Sequence, residues 1–577
     1  MEEKHVARRM IYILLSLLVL SSMLLAACAP AATEAPPAEP AATEPPAPEP
    51  TAVPEVPFEG TSLVAPNCDY GGKFEKITAV DRYTVEFDLC APFPAFLETL
   101  AFSVFSIYPS EWVEATVGEG VRTPEGLDAP VGTGPYVVKD WVRGESITFE
   151  RNPNFWGTAG IPETLVFRWN SEGAARLLEL QSGTVDGIDN PSPDDFEVIA
   201  ADPNLQLIER PALNVFYVGM TNTYPPFDNK LVRQAVAMGI DRQRIVDNFY
   251  PAGSEVASHF TPCVIPNGCV GEAWYDFDPV AAKALLAEAG FPNGFDTTIY
   301  YRDVFRGYLP EPGRVAEELQ AQLKQNLGIN AKIEVMESGA FIEASSVGAL
   351  NGIHLLGWTG DYPHVTNFLD FHFGASVEQF GTPYPEIYTK LEEGAKLASA
   401  AESEPVYTAA NNAIKEFVPM VPIAHGGSGV AYLADVAGAH ASPLGNEYFA
   451  VVDPGGRGTF VWMQNAEPIS MFCADETDGE SLRACEQVTQ ALYSYEVGGT
   501  AVEPQLATVC EPNADLSVWT CTLRENVKFS DGSDFDANDV VATFTMGLDA
   551  SSPLHVGNTN VWDYYGTLWG LMNVPAE

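Results

Sequence analysis

Positive charge is what this sequence has least of. Its 577 residues carry 30 lysines and arginines against 78 aspartates and glutamates, a formal charge of -48. Such a chain repels the phosphate backbone, so nucleic acid is excluded as a partner. The same field favours amines or other cations near a focused cleft, and it also serves solubility. None of the nine cysteines forms a close CxxC pair, so the usual zinc spacings are missing. Neither GxSxG nor HExxH occurs, and no catalytic residue is assigned. A secreted hydrolase built on paired carboxylates stays as the weaker class, because acidic abundance fixes neither their separation nor their pKa values. Gly132–Tyr136, GTGPY, lacks the lysine and following hydroxyl of a phosphate loop and reads as a turn. No repeat of solenoid period is present, and no cofactor is implied.

One long apolar run does exist, from Met10 to Ala27, preceded by Lys4, Arg8 and Arg9. Basic start, apolar centre and small residues before Cys28 make residues 1–28 an export signal ending in a lipidation site. A membrane-spanning helix is the competing reading of the same run. Residues 29–57 are rich in proline, alanine and glutamate and form a stiff tether. The remainder, 58–577, is too long for one lobe. It lies on the extracytoplasmic face of the cell membrane, anchored by lipid, and its eight cysteines suit an oxidising compartment. They fall into four sequential pairs: Cys68 with Cys90, Cys263 with Cys269, Cys473 with Cys485, and Cys510 with Cys521. Proximity gives that pairing, although eight cysteines allow 105 connectivities.

Strand-like alternation runs through Lys76–Leu89 and Ser146–Asn152, and helical periodicity follows Pro225-Pro226, Pro279 and Val315. Asp241 and Asp536 stand where helix caps belong. Strands mixed with crossover-length helices give an α/β class.

Several segments together resemble the extracellular solute-binding family 5 of ABC transporters, the oligopeptide, dipeptide and nickel group. They are DRYTVEFDLCAPFPAFLETLA from Asp81, PVGTGPYVVKDWVRGESITFERNPNFWG from Pro130, LELQSGTVDGID from Leu178, PPFDNKLVRQAVAMGIDRQRIV from Pro225 and KEFVPMVPIAH from Lys415. LRENVKFSDGSDFDANDVV, Leu523 to Val541, resembles a motif that belongs early in the family, and TFVWMQNAEPIS from Thr459 looks like its first strand. One copy of each segment in rotated order implies circular permutation. The resemblance implies a two-lobed periplasmic-binding-protein-like fold with a third small subdomain. Residues 58–130 plus 478–577 would form the small subdomain, 131–255 plus 426–477 the first lobe, and 256–425 the second. The seam, near 573–577 and 57–61, should then be close in space. The resemblance also implies a monomer that captures peptides and delivers them unchanged to the permease subunits of an importer. An oligosaccharide or a nickel chelate is the alternative solute.

The segment LLGWTGDYPHVTNFLDFHFG, Leu355 to Gly374, combines aromatic walls with an acid. Trp358, Asp361 and Tyr362 are its candidate ligand-binding residues, because a carboxylate between aromatics suits an amine. The family resemblance puts the peptide's ammonium on Asp361. His354, His364 and His372 are ten and eight residues apart, which does not align them on successive helical turns, and no metal site is assigned to them.

Overall fold

The computed structural model describes residues 57–574 except 304, 305 and 398. The export signal, Cys28 and nearly all of the tether lie outside the described residues. Among the described residues no helix is long and apolar enough to cross a membrane.

Three larger sheets organise the chain beyond residue 57. The first has five strands, in the order Ser62–Val64, Phe74–Asp81, Thr84–Leu89, Val518–Leu523 and Ala507–Pro512. Strict alternation in Thr84–Leu89 turns Val85, Phe87 and Leu89 inward. The seam of this sheet joins distant chain, since Thr84–Leu89 pairs antiparallel with Val518–Leu523. Helix Ala537–Leu548 packs beside it, started by a reciprocal Asp536–Asp539 capping box.

The second sheet has seven strands, ordered Tyr136–Val142, Ser146–Arg151, Thr164–Trp169, Thr459–Gln464, Gly187–Asp189, Ser428–Leu433 and Leu205–Arg210. The late strand Thr459–Gln464 is central and parallel to both neighbours. Its buried Phe460 and Trp462 belong to one continuous apolar core that also contains Phe74, Phe87 and Phe544. The third sheet orders Glu255–Val256, Met420–His425, Asn214–Met220, Ile353–Thr359, Asp296–Arg302 and Asn330–Met336, with its own core. Its central strands, Asn214–Met220 and Met420–His425, are buried at every position, as covered strands must be.

This topology corrects the boundary expected at 256. Asn214–Met220 hydrogen-bonds to both Ile353–Thr359 and Met420–His425, so the second lobe begins just after Arg210. The sequence obscures the change because both lobes are α/β. Two short crossings join them: residues 211–213, and Gly426 with Gly427. Asn214 ties the crossings together, its Nδ2 donating to the Gly426 carbonyl at 2.8 Å and its Oδ1 accepting the Gly426 N–H at 2.8 Å.

The structure joins Cys68 to Cys90, Cys263 to Cys269, Cys473 to Cys485 and Cys510 to Cys521. Cys510 and Cys521 are opposite partners in a hairpin. Beneath the first crossing lies a buried charge ring. Arg210 donates to Asp189 (2.9 Å) and Glu447 (2.7 Å), and Arg483 donates to the same two acids (2.9 and 2.8 Å). Each carboxylate oxygen in the ring meets a guanidinium, which repays the cost of burying four charges.

The two ends of the described chain meet helix Ala537–Leu548 at opposite termini. Thr61 donates to Asn538 Oδ1 from its N–H (2.9 Å) and hydroxyl (2.8 Å), while Asn573 Nδ2 donates to Asp549 at 2.9 Å. At 1.5 Å per residue the helix keeps those two contacts roughly 17 Å apart.

Candidate ligand-binding site

Strand Ile353–Thr359 delivers Trp358 to one wall of a cavity of about 400 Å³, and the following turn delivers Asp361. Helix Val365–Phe373 then returns along the wall and supplies Phe371 and His372. Trp358 stacks on Phe371 with ring centres 5.3 Å apart, and His372 meets its edge at the same distance. Asn367 organises the turn. Its Oδ1 accepts from the Asp361 N–H (2.8 Å) and the Trp358 indole N–H (3.1 Å), and its Nδ2 donates to Asp361 Oδ2 (3.1 Å).

Burial pushes the Asp361 carboxyl up to about 6; the Asn367 hydrogen bond opposes this, and Asp563 adds repulsion. Asp361 also acts on Tyr495 and Tyr564, which belong to the late segment of the chain. Arg302 and Arg306 line the same cavity, with Arg302 donating to the Tyr308 hydroxyl at 3.2 Å. Gln379 donates to the Tyr217 hydroxyl on the cavity floor. One small cavity therefore holds an acid and two guanidiniums, with aromatic surface between them.

A second cavity of about 700 Å³ runs along the hinge, lined by Arg176, Arg210, Asn214, Gly426 and Gly427. Thr359 lies on both cavities. Arg176 is committed to backbone carbonyls of Asn170, Asp189 and Asn190, at 2.6 to 3.0 Å.

Trp358 and Asp361 both line the first cavity. Tyr362 does not line that cavity: its ring is buried within the core of the five- and seven-stranded sheets, and its hydroxyl meets Thr366 at 3.2 Å. Packing draws the large ring into that dry core. Of the three histidines, His372 lines the first cavity and the other two do not. His364 caps its helix, with Nδ1 accepting from the Thr366 N–H at 3.3 Å. His354 stacks on Phe380, and burial holds His354, His364 and His372 down at about 4. Among the described residues no group of three or more His, Cys, Asp or Glu is placed to hold a metal ion. Sequence reasoning missed Arg302, Arg306 and Asn367. Arg302 ends a strand, and an arginine closing the alternation TTIYYR was the available signal.

The chain matches the family described as bacterial extracellular solute-binding proteins, family 5 Middle, over residues 44–379 and 501–560. It is 30% identical to heme-binding protein A of Haemophilus influenzae, covering 66% of this chain and 70% of that protein. It is 30% identical to the dipeptide-binding protein of Escherichia coli, over 65% of this chain and 70% of that one. Among solved structures, HbpA2 from Haemophilus parasuis shares 30% identity at a TM-score of 0.60, covering 65% of this chain and 74% of its own. A dipeptide-binding protein from Pseudoalteromonas sp. SM9913, in complex with Met-Leu, shares 27% at 0.52, covering 66% and 76%. With the profile spanning more than half of its length, the chain belongs to the bacterial extracellular solute-binding proteins of family 5.

Proposed function

We propose that this protein captures short peptides outside the cytoplasm and hands them, unchanged, to the permease of an ABC importer. The observation that carries this reading is the pairing of Asp361 with Arg302 and Arg306 around one cavity of about 400 Å³. A short peptide is a zwitterion, so a carboxylate for its ammonium and guanidiniums for its carboxylate match both ends. Trp358 and Phe371 supply an apolar wall to the same cavity, while Tyr362 packs in the neighbouring core. The cavity size suits a small ligand. Relatives named for dipeptide binding support the same solute class.

Closure would follow from the hinge: two short crossings let the lobes turn, and a solute held in the second-lobe cavity would favour the closed population once the opposing lobe also touches it. The reading extends to a monomer tethered by residues 29–57 and held at the membrane by an acylated Cys28. It also extends to a permuted chain. Supporting this, the central strand Thr459–Gln464 and the hairpin Ala507–Leu523 come late in sequence yet complete sheets begun by early strands. On that reading the small subdomain takes 58–130 plus 478–577, and the lobes divide after Arg210 rather than at 256.

Titration calorimetry with Ala-Ala, acetyl-Ala-Ala and Ala-Ala-amide tests the solute. Ala-Ala should bind, acetylation should abolish binding through Asp361, and amidation should weaken it through the arginines. Equal affinity for all three would refute the zwitterion site.

A further inference from the structure

A third cavity, of about 500 Å³, is lined in part by Tyr495, and neither the family assignment nor the peptide-end contacts account for it. Four aromatic rings wall it: Phe155, Trp156, Tyr448 and Tyr495. Its titratable lining is of one sign, Glu486, Glu496 and Glu503, and no lysine, arginine or histidine stands among the described residues that line it. Arg524, which stacks on Trp156 at 4.1 Å, is not on the wall.

Glu486 is the decisive group. It follows helix Gly479–Cys485 and lines the cavity with Tyr448 and Tyr495, and its charge acts on both phenols. Asn446 engages the carboxyl, yet Oε2 is shut off from solvent with no hydrogen-bond partner. A buried carboxyl oxygen left bare is costly, and a ligand N–H would satisfy it. The neighbours cannot: Arg483 is consumed by Asp189 and Glu447, and Glu447 adds repulsion. Burial accordingly pushes Glu486 up to about 8, which keeps the empty cavity neutral at its base.

We propose that this cavity is a subsite for an organic ammonium group, the side-chain cation of a basic residue in the captured peptide. Aromatic faces attract a cation, a bare carboxylate oxygen accepts its N–H, and among the described residues the one cation against these rings, Arg524 on Trp156, is not itself on the wall. Tyr495 lines this cavity, and the charges of Asp361 and Glu486 both act on its phenol. The subsite deepens the peptide reading and rests on it for the identity of the carrier. The cavity's preference for ammonium does not.

The test uses the full chain beyond the tether, residues 58–577. Calorimetry would compare Ala-Lys and Lys-Ala with their norleucine and Nε-acetyl-lysine counterparts, which keep the length and remove the charge. At least one lysine peptide should bind tenfold or more tighter than its neutral counterparts in the wild type. Glu486→Gln should erase that difference while leaving Ala-Ala affinity unchanged. Binding of a lysine peptide should also release a proton near pH 7.5, seen as a buffer-dependent heat. n-Butylammonium, a side-chain fragment, separates the two readings. If no peptide binds but butylammonium raises the melting temperature of the wild type and not of Glu486→Gln, the carrier is wrong and the ammonium subsite stands. Peptide binding that is indifferent to the lysine charge, with no butylammonium shift, overturns the subsite alone. Should Glu486→Gln fail to fold, the wild-type comparison of lysine with acetyl-lysine decides by itself.

Discussion

Asn367 grips Asp361 from both sides, taking its backbone N–H on one amide atom and giving a hydrogen bond to its carboxylate with the other, while the same oxygen holds the Trp358 indole. An acid, an aromatic wall and the turn between them thus share one positioning group. Its geometry fixes where Asp361 can meet a ligand amine.

Replacing Asn367 with leucine should lower affinity for Ala-Ala about tenfold or more without unfolding the protein, because two N–H groups lose their acceptor. The Asn367 hydrogen bond also holds the Asp361 pKa down. The variant's affinity-versus-pH curve should therefore move to higher pH, a shift that simple loss of packing does not produce.

In the wild type, Asp361 titrates at about 6 when the cavity is empty. An ammonium ligand needs the ionised form, so affinity is full above that value and falls as pH drops through it. Between pH 7 and pH 5 the loss should be about tenfold for one required ionisation. Asp361→Asn should be weak and flat across the range. A wild-type curve without any step would remove Asp361 from the site.

Burial also raises Asp370, to about 7, with Lys73 of the five-stranded side pulling it back. The folded state then holds more protons than the unfolded state between about pH 4 and 7, so this group makes stability fall as pH rises through that window. Asp370→Asn should raise the melting temperature at pH 8 and change it little at about pH 3.5, below both pKa values. Calorimetry at the two pH values checks the sign.

Breaking the Arg210–Asp189–Arg483–Glu447 ring should be costly. Arg483→Met leaves Glu447 and Asp189 short of a partner in a dry core, and about 3–5 kcal/mol of stability should go. Glu447 is buried, and its two arginines outweigh that burial and hold its carboxyl below the ordinary range. Its contribution is therefore complete above about pH 4.5 and is lost as pH falls further. Chemical denaturation of the variant at pH 7 and pH 4 should show the gap to wild type narrowing in acid.

Residues 58–450 should not fold cooperatively. That fragment lacks the central strand Thr459–Gln464 and the hairpin that pairs with Thr84–Leu89. Baring even several hundred square ångströms of apolar core, at about 25 cal/mol per Å², removes several kcal/mol, much of a domain's stability. Calorimetry of 58–450 against 58–577 would show it, and a full-height transition in the fragment would make the late segment an appendage.

The alternation in Lys76–Leu89, the caps at Asp241 and Asp536 and the wall formed by Trp358 and Asp361 could be read directly, because each depends on neighbours within one turn or strand. The lobe boundary could not. Asn214–Met220 is apolar throughout, and only its partners across the sheet say which lobe owns it. Tyr362 failed for a related reason: adjacency to Asp361 brings it near the cavity in sequence, whereas packing turns it into the opposite core. Arg302 and Arg306 lie over fifty residues from Asp361, and only the folding of strand Asp296–Arg302 beside Ile353–Thr359 brings them round.

Helix Ala537–Leu548, gripped near one end by Thr61 and near the other by Asn573, behaves as a ruler set between two loose ends of string. A stretch of about eight added residues, at roughly 3.3 Å each, is long enough to pass along it and tie residue 574 back to residue 58. The ring so formed could be opened at another exposed turn, such as Pro454–Gly458 ahead of strand Thr459–Gln464, and every sheet would still close with the same neighbours. The ruler thus sets the shortest splice with which an engineer could move the ends of this protein without touching its cleft.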